Sequence, residues 1–248
     1  DKAYDGSDAA TIHAVVEEGV LSGDEIIISG LDGTFSDANA GADKTVTVDF
    51  DHVSIRGTNY KHYDISYSST TVKATIHKAI ANITTPPVGA VLTYNGNPQV
   101  LINDASLVVD PNSVLVEYAM SKDGPYSTTL PVATNADTYT VWYRVQETGN
   151  YTGLDPVSVD VEIAKKPVSP TITLSGVGLD TDTTTTPATD FYIYDGTAKT
   201  PTVTLTEPDG TIPASEYTVA YRDNTNVGSA TVTVTAKADG NYAFTPGP

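Results

Sequence analysis

Four short landmarks recur in a fixed order along the 248-residue chain, and this recurrence restricts the fold more than any other feature. Tyr-Asp/Asn-Gly stands at Tyr4-Asp5-Gly6, Tyr94-Asn95-Gly96 and Tyr194-Asp195-Gly196, in steps of 90 and 100 residues. Asn39-Ala40-Gly41, Asn135-Ala136-Asp137 and Asn226-Val227-Gly228 follow. Then come Gly57-Thr58-Asn59-Tyr60, Gly149-Asn150-Tyr151 and Gly240-Asn241-Tyr242, at 20, 15 and 15 residues from the preceding landmark Asn. Ile76-His77-Lys78 and Ile163-Ala164-Lys165 close the first two rounds. Solenoid units span only ~20–45 residues, so each of these longer rounds should be a domain with its own core.

The residues between the landmarks alternate with the period of a strand. Thr45-Val46-Thr47-Val48-Asp49-Phe50 and Thr231-Val232-Thr233-Val234-Thr235 place valines on one face and polar residues on the other. In the middle round Tyr139, Val141, Tyr143 and Val145 share one face, and Thr140, Trp142 and Arg144 the other. Further strand candidates are residues 25–29, 64–68, 72–76, 114–118, 158–163, 171–174, 202–205 and 217–221. Thr, Val and 15 Tyr dominate, with 19 Gly and 15 Pro as punctuation, which suits pleated sheets joined by turns. The expected fold class is all-β: three tandem antiparallel β-sandwich (Ig-like) domains in an elongated array. The alternative is β-grasp-like modules with one packed helix, for which residues 9–20 are the candidate; a strand is preferred there.

The landmarks read as structural. Asp-Gly and Asn-Gly supply positive φ for hairpin turns or glycine bulges, and Asn-Tyr has the form of a tyrosine corner, a ring in the core with its hydroxyl bonded to nearby backbone. Closing strands set the domains at 1–80, 81–166 and 167–248, with Pro-stiffened linkers at 79–87 and 166–170. Residues 180–190, Asp-Thr-Asp-Thr-Thr-Thr-Thr-Pro-Ala-Thr-Asp, are expected as an exposed loop. The third round shows no closing strand after Tyr242 and is read as truncated within a longer array. Its open edge is expected to be covered by residues 171–174 or to self-associate.

Charge and composition remove several function classes. A net charge of −18, spread as −7, −5 and −6 over the three rounds, argues against a nucleic-acid partner and for a solvated, self-repelling surface. The chain has no cysteine, so disulfides and thiolate metal or redox sites are excluded. No apolar run approaches the ~20 residues of a membrane span. No nucleophile elbow, His-Glu-x-x-His or phosphate-binding glycine loop occurs. His13, His52, His62 and His77 lack ligand spacing, and Asp180-Thr181-Asp182 is only a fragment of a calcium loop. No enzyme activity, metal or cofactor is expected.

Lys2-Ala3-Tyr4-Asp5-Gly6, Gly23-Asp24, Gly33-Thr34-Phe35, Asn39-Ala40-Gly41 and Asn59-Tyr60 together resemble the YDG domain of bacterial surface proteins of the filamentous-haemagglutinin type. The middle round, through Tyr94-Asn95-Gly96, Glu117-Tyr118, Tyr126-Ser127 and Gly149-Asn150-Tyr151, is similar to MBG or bacterial Ig-like modules, and residues 192–242 to a third variant. Asp137 replaces the usual glycine of its landmark. Such modules stand in tandem on long adhesin-like proteins. The resemblance implies a non-enzymatic adhesion or stalk role at a bacterial cell surface, with an extracellular protein or glycan as ligand. The second reading is a carbohydrate-binding accessory region of a larger secreted enzyme.

Trp142 is the candidate ligand-binding residue, with Arg144 two positions along the same face. Registering the rounds by Asn135 and Asn226 sets Trp142 over Thr233 and, with one inserted residue, over Thr47. A single Trp where its counterparts are Thr is either a contact platform or a covered surface or domain-contact residue.

Overall fold

The computed structural model describes residues 1–16, 18–66, 69–184 and 189–245. The chain is all-β: among the described residues the helical elements are two single 3-10 turns, Tyr60–His62 and Ala214–Glu216. No helix among them is long and apolar enough to cross a membrane. The strands fall into three groups along the chain, each with its own buried cluster.

The N-terminal group contains β1 (Lys2–Ala3), β2 (Ala9–Thr11), β3 (Ile27–Ser29), β4 (Asp32–Phe35), β5 (Gly41–Asp49), β6 (Ser54–Arg56) and β7 (Thr71–His77). A five-stranded sheet runs β1-β7-β5-β4-β2, and β3 pairs with β6 beside it. Phe35, Val46 and Ile76 are the buried centre. The 9–20 stretch is the short strand β2 followed by irregular chain, so the packed helix of the β-grasp alternative is absent from its described residues. Val15 is 82% exposed, which leaves a helix there no apolar face to bury. Ile12 instead packs with Val46 over the bare backbone of Gly33, where an added Cβ would come within 2.7 Å of the Ile12 side chain. Residues 64–66 form no strand; the rest of that candidate, Tyr67 and Ser68, lies outside the described residues.

The middle group opens with β8 (Ala79–Ile80), β9 (Asn82–Thr85), β10 (Val88–Gly89) and β11 (Leu92–Thr93), continues through β12 (Gln99–Val100), β13 (Ile102–Asn103), β14 (Val108–Asp110), β15 (Val116–Ala119) and β16 (Val132–Ala133), and ends with β17 (Asp137–Val145), β18 (Tyr151–Thr152) and β19 (Leu154–Ala164). Its main sheet is β11-β19-β17-β15, faced by short ladders such as β9–β14 and β10–β13. Val141, Tyr143 and Val145 on β17 and Val161 and Ile163 on β19 are buried together, as the alternation requires.

The C-terminal group comprises β20 (Lys166–Val168), β21 (Thr171–Ser175), β22 (Leu179–Asp182), β23 (Thr189–Tyr192), β24 (Thr202–Glu207), β25 (Gly210–Ile212), β26 (Tyr217–Arg222), β27 (Thr231–Ala236) and β28 (Tyr242–Phe244). Of the expected loop at 180–190, residues 180–182 and 189–190 are paired strand in β22 and β23, 183–184 are turn, and 185–188 lie outside the described residues. β21 pairs with β24, so residues 171–174 do not cover β27, whose ladder is with β26 alone among the described residues.

Two expectations are corrected by the pairing. The ladders are not purely antiparallel: β1–β7, β11–β19, β8–β18 and β20–β28 are parallel. Their partners are far apart in sequence, as in Lys2↔Ile76 and Lys166↔Tyr242, which leaves room for the crossover a parallel pair needs. The supposed linkers are also partly strand. β8, β9 and β10 occupy most of 79–87 and its edge, and Pro167 sits in β20, an edge strand that tolerates the missing N–H.

Burial of the landmark-registered valines differs between groups. Val46 and Val141 are 1% and 0% exposed, whereas Val232 is only half-buried. Val141→Ala should therefore cost about 2 kcal/mol, at ~0.8 kcal/mol per buried CH2 plus a cavity contribution. Val232→Ala should cost about half as much or less on the same scale. Residue-resolved amide exchange in each strand group would measure both; equal losses would mean that Val232 is as enclosed as Val141.

Candidate functional site

Alternation along β17 turns Trp142 and Arg144 to the outer face of the middle sheet, away from Val141, Tyr143 and Val145. Trp142 lies between Ala119 on β15 and Ser158 on β19, two small neighbours that leave the indole half-exposed. Arg144 lies opposite Glu117, and its Nε and Nη2 both donate to Glu117 Oε2, at 3.1 and 3.0 Å.

The segment after β15 folds back over this face. Ser127 exchanges backbone hydrogen bonds with Tyr118, and the Tyr126 hydroxyl donates to the Lys122 carbonyl at 2.8 Å. The return places Lys122 Nζ 5.7 Å from the centroid of the Trp142 ring and the Arg144 guanidinium 4.1 Å from that of Tyr126. Cation–π attraction of this kind contributes about 0.5–1 kcal/mol at exposed sites. Trp142 and Arg144 thus belong to one surface, and each is engaged by the 120–127 segment. Tyr126, Lys122 and Glu117 complete the patch. Glu117 and Tyr126 stand in the motifs Glu117-Tyr118 and Tyr126-Ser127, so a signal existed, but their approach to β17 needed the fold.

Among the described residues no group of three or more His, Asp or Glu could hold a metal ion. At the calcium-like fragment, Thr181 Oγ1 donates to Asp190, and Asp182 accepts from the backbone and hydroxyl of Thr184.

The landmarks assemble a second arrangement, at the two places where strand groups meet. Tyr4 packs edge-to-face on Tyr151, with centroids 5.3 Å apart at 84°, and Tyr94 packs on Tyr242 at 5.5 Å and 73°. Asn150 Oδ1 accepts from the Ala40 N–H at 2.9 Å, and Asn241 Oδ1 from the Ala136 N–H at 2.7 Å. The backbone carbonyls of the same asparagines accept from Ala79 and Lys166 at 3.0 and 2.9 Å. Lys78 Nζ reaches Glu147 Oε1 and the Thr148 carbonyl at 2.6 and 2.7 Å; Lys165 Nζ reaches the Ala238 and Lys237 carbonyls at 2.6 and 3.3 Å. Lys78 holds the Glu147 carboxyl below its ordinary range, chiefly through this hydrogen bond.

Tyr242 is buried in the C-terminal core and Tyr151 packs against the middle one, as the tyrosine-corner reading expects; each ring also meets the landmark Tyr of the preceding strand group, whose backbone the asparagine beside it binds. Asn59-Tyr60 behaves differently: Asn59 has φ 59 and caps the 3-10 turn, and Asn59 and Tyr63 both donate to Asp24.

Residues 1–72 match the YDG domain family, so this stretch is similar to a YDG-type module. No curated protein and no solved structure matches the chain.

Burial raises the Tyr126 phenol above its ordinary value, and Arg144 opposes that rise. Arg144→Ala should therefore raise it further. A tyrosine ring-carbon titration by NMR would read this, and an unchanged or lowered value would show that the guanidinium does not act on the ring.

Proposed function

We propose that the chain is a non-enzymatic stalk and adhesion segment of a bacterial cell-surface protein, built of three tandem Ig-like β-sandwich modules. The observation that supports it is the joint between strand groups, formed twice from the same landmark residues. Each joint combines a backbone hydrogen bond from the chain entering the next group, an asparagine clamp, an aromatic pair and a lysine cap. A stalk must transmit load and resist bending, and contacts of four kinds at each junction oppose independent tumbling of the modules. The dispersed negative charge supports the same reading, since like charge keeps neighbouring chains apart.

The adhesive surface in this reading is the Trp142–Arg144 face, open to an extracellular protein or glycan. The carbohydrate-binding accessory reading draws on Trp142 and Tyr126 lying on one side of the sheet. It has the weaker support, because Lys122 and Arg144 already occupy those rings.

Asn150→Ala and Asn241→Ala should uncouple the modules without unfolding them. Asn150→Ala removes two side-chain hydrogen bonds that cross its joint and Asn241→Ala removes one, worth about 1 kcal/mol apiece, so coupling should fall by about 2 kcal/mol at the first joint and about 1 kcal/mol at the second. Residual dipolar couplings should fit one alignment tensor for the parent and separate tensors for the double variant; a single shared tensor in the variant would sink the proposal.

The first joint should also respond to acid. Its Glu147 pKa is depressed, so that stabilisation is present above the ordinary Glu pKa of about 4.3 and is lost as pH falls through the lower folded value. The 1–77 group should gain independent motion in that window, and Glu147→Gln should abolish the pH dependence.

A further inference from the structure

We infer that the outer edge of β27, with the ledge at Ile193 and Tyr194, is an acceptor for an added β-strand that ends in an apolar-x-Lys sequence. This rests on the tandem-module reading of the two joints.

In the N-terminal group β5 lies between β4 and β7, and in the middle group β17 lies between β15 and β19. β27 holds the corresponding place after its landmark Asn226, yet among the described residues only β26 pairs with it. Lys237 N–H donates to the Glu216 carbonyl, so antiparallel alternation turns the N–H and C=O groups of Val232, Val234 and Ala236 to the outer side. A row of such groups is a template for strand addition. The side chains give the same signal. Val141 and Tyr143 are 0% and 7% exposed beneath β19, whereas their counterparts Val232 and Val234 are only half-buried.

The landmark tyrosines specify what the added strand must offer. Tyr4 N–H donates to the His77 carbonyl and Tyr94 N–H to the Ala164 carbonyl, both at 2.8 Å. Each acceptor is the middle residue of Ile-x-Lys, at the end of β7 or β19. Tyr194 stands at the same landmark but is 59% exposed, with Ile193 at 80% and Val227 at 82%. A cavity of ≈ 540 Å³ opens between Ile193, Tyr194, Tyr221, Asn226, Val227 and Val232. In the two formed joints the equivalent space holds the closing strand and the Tyr–Asn pair that follows it. The occupant is therefore a strand with apolar residues at alternate positions, parallel to the Tyr194 segment and antiparallel to β27.

The test uses the full chain and a synthetic peptide of residues 155–165, which carries the pattern at Val157, Val159, Val161 and Ile163 and ends Ile163-Ala164-Lys165. Titration should shift the amide NMR signals of Tyr194, Val232, Val234 and Ala236, and slow their hydrogen exchange by tenfold or more. A peptide of scrambled sequence and one carrying Ile163→Asp should do neither. Silence at those four amides up to millimolar peptide overturns the inference. Protection that appears without peptide and grows with protein concentration assigns the edge to a second copy and overturns the stated occupant. Failure here is separable from failure of the stalk reading. Peptide silence with Asn150→Ala and Asn241→Ala still loosening the joints removes only this inference. Rigid joints in those variants remove the stalk reading even if the peptide binds.

Discussion

A carboxamide can accept and donate at the same time, and the joints between strand groups depend on this property. Asn150 accepts from Ala40 through Oδ1, donates to Asn39 through Nδ2 and accepts from Ala79 through its backbone carbonyl. Asn241 accepts from Ala136 and Lys166 in the same way and donates to Glu216. Each asparagine ties the chain entering its group to a turn of the group before it. The aromatic pairs and lysine caps lie around this clamp. Without it, the aromatic pairs and the lysine caps would have to hold the groups together, because the short parallel ladders β8–β18 and β20–β28 each lie within one group.

Glutamate and glycine next to the second clamp show how closely it is held. Glu216 Oε2 accepts the Asn241 backbone N–H at 2.6 Å, and a Cβ on Gly240 would lie 2.7 Å from that oxygen. At the first joint Tyr151 N–H is taken by the Thr148 hydroxyl, and Gly149 faces open space. The two joints share the asparagine Oδ1 acceptor, the aromatic pair and a lysine on backbone carbonyls, and differ in the partner of the asparagine Nδ2, which is Asn39 across the first joint and Glu216 within the group at the second. Tyr94 packs against both the middle and the C-terminal clusters, which makes the second joint continuous with two cores.

The Trp142–Arg144 face is a different kind of surface. Its cations lie over aromatic rings of the same sheet and return segment, so the patch is organised by contacts within the chain. This arrangement limits the aromatic area open to a flat ligand, because Lys122 shares the Trp142 face.

By itself the sequence determined the class and the faces. Period-two alternation fixed which residues of β5, β17 and β27 turn inward, and it placed Trp142 and Arg144 outward, because the direction of a side chain along a strand is a local property. The landmarks were also legible, but their meaning was not. Their spacing suggested turns and corners within one unit, whereas the tertiary structure pairs Tyr4 with Tyr151 and Asn39 with Asn150, more than 100 residues apart. The parallel ladders, the return of Tyr126 over Arg144 and the unshared edge of β27 were likewise decided only by folding. Each concerns which strand or ring becomes a neighbour, and neighbours are chosen by long-range packing and backbone hydrogen bonding, which the alternation of a single strand does not encode.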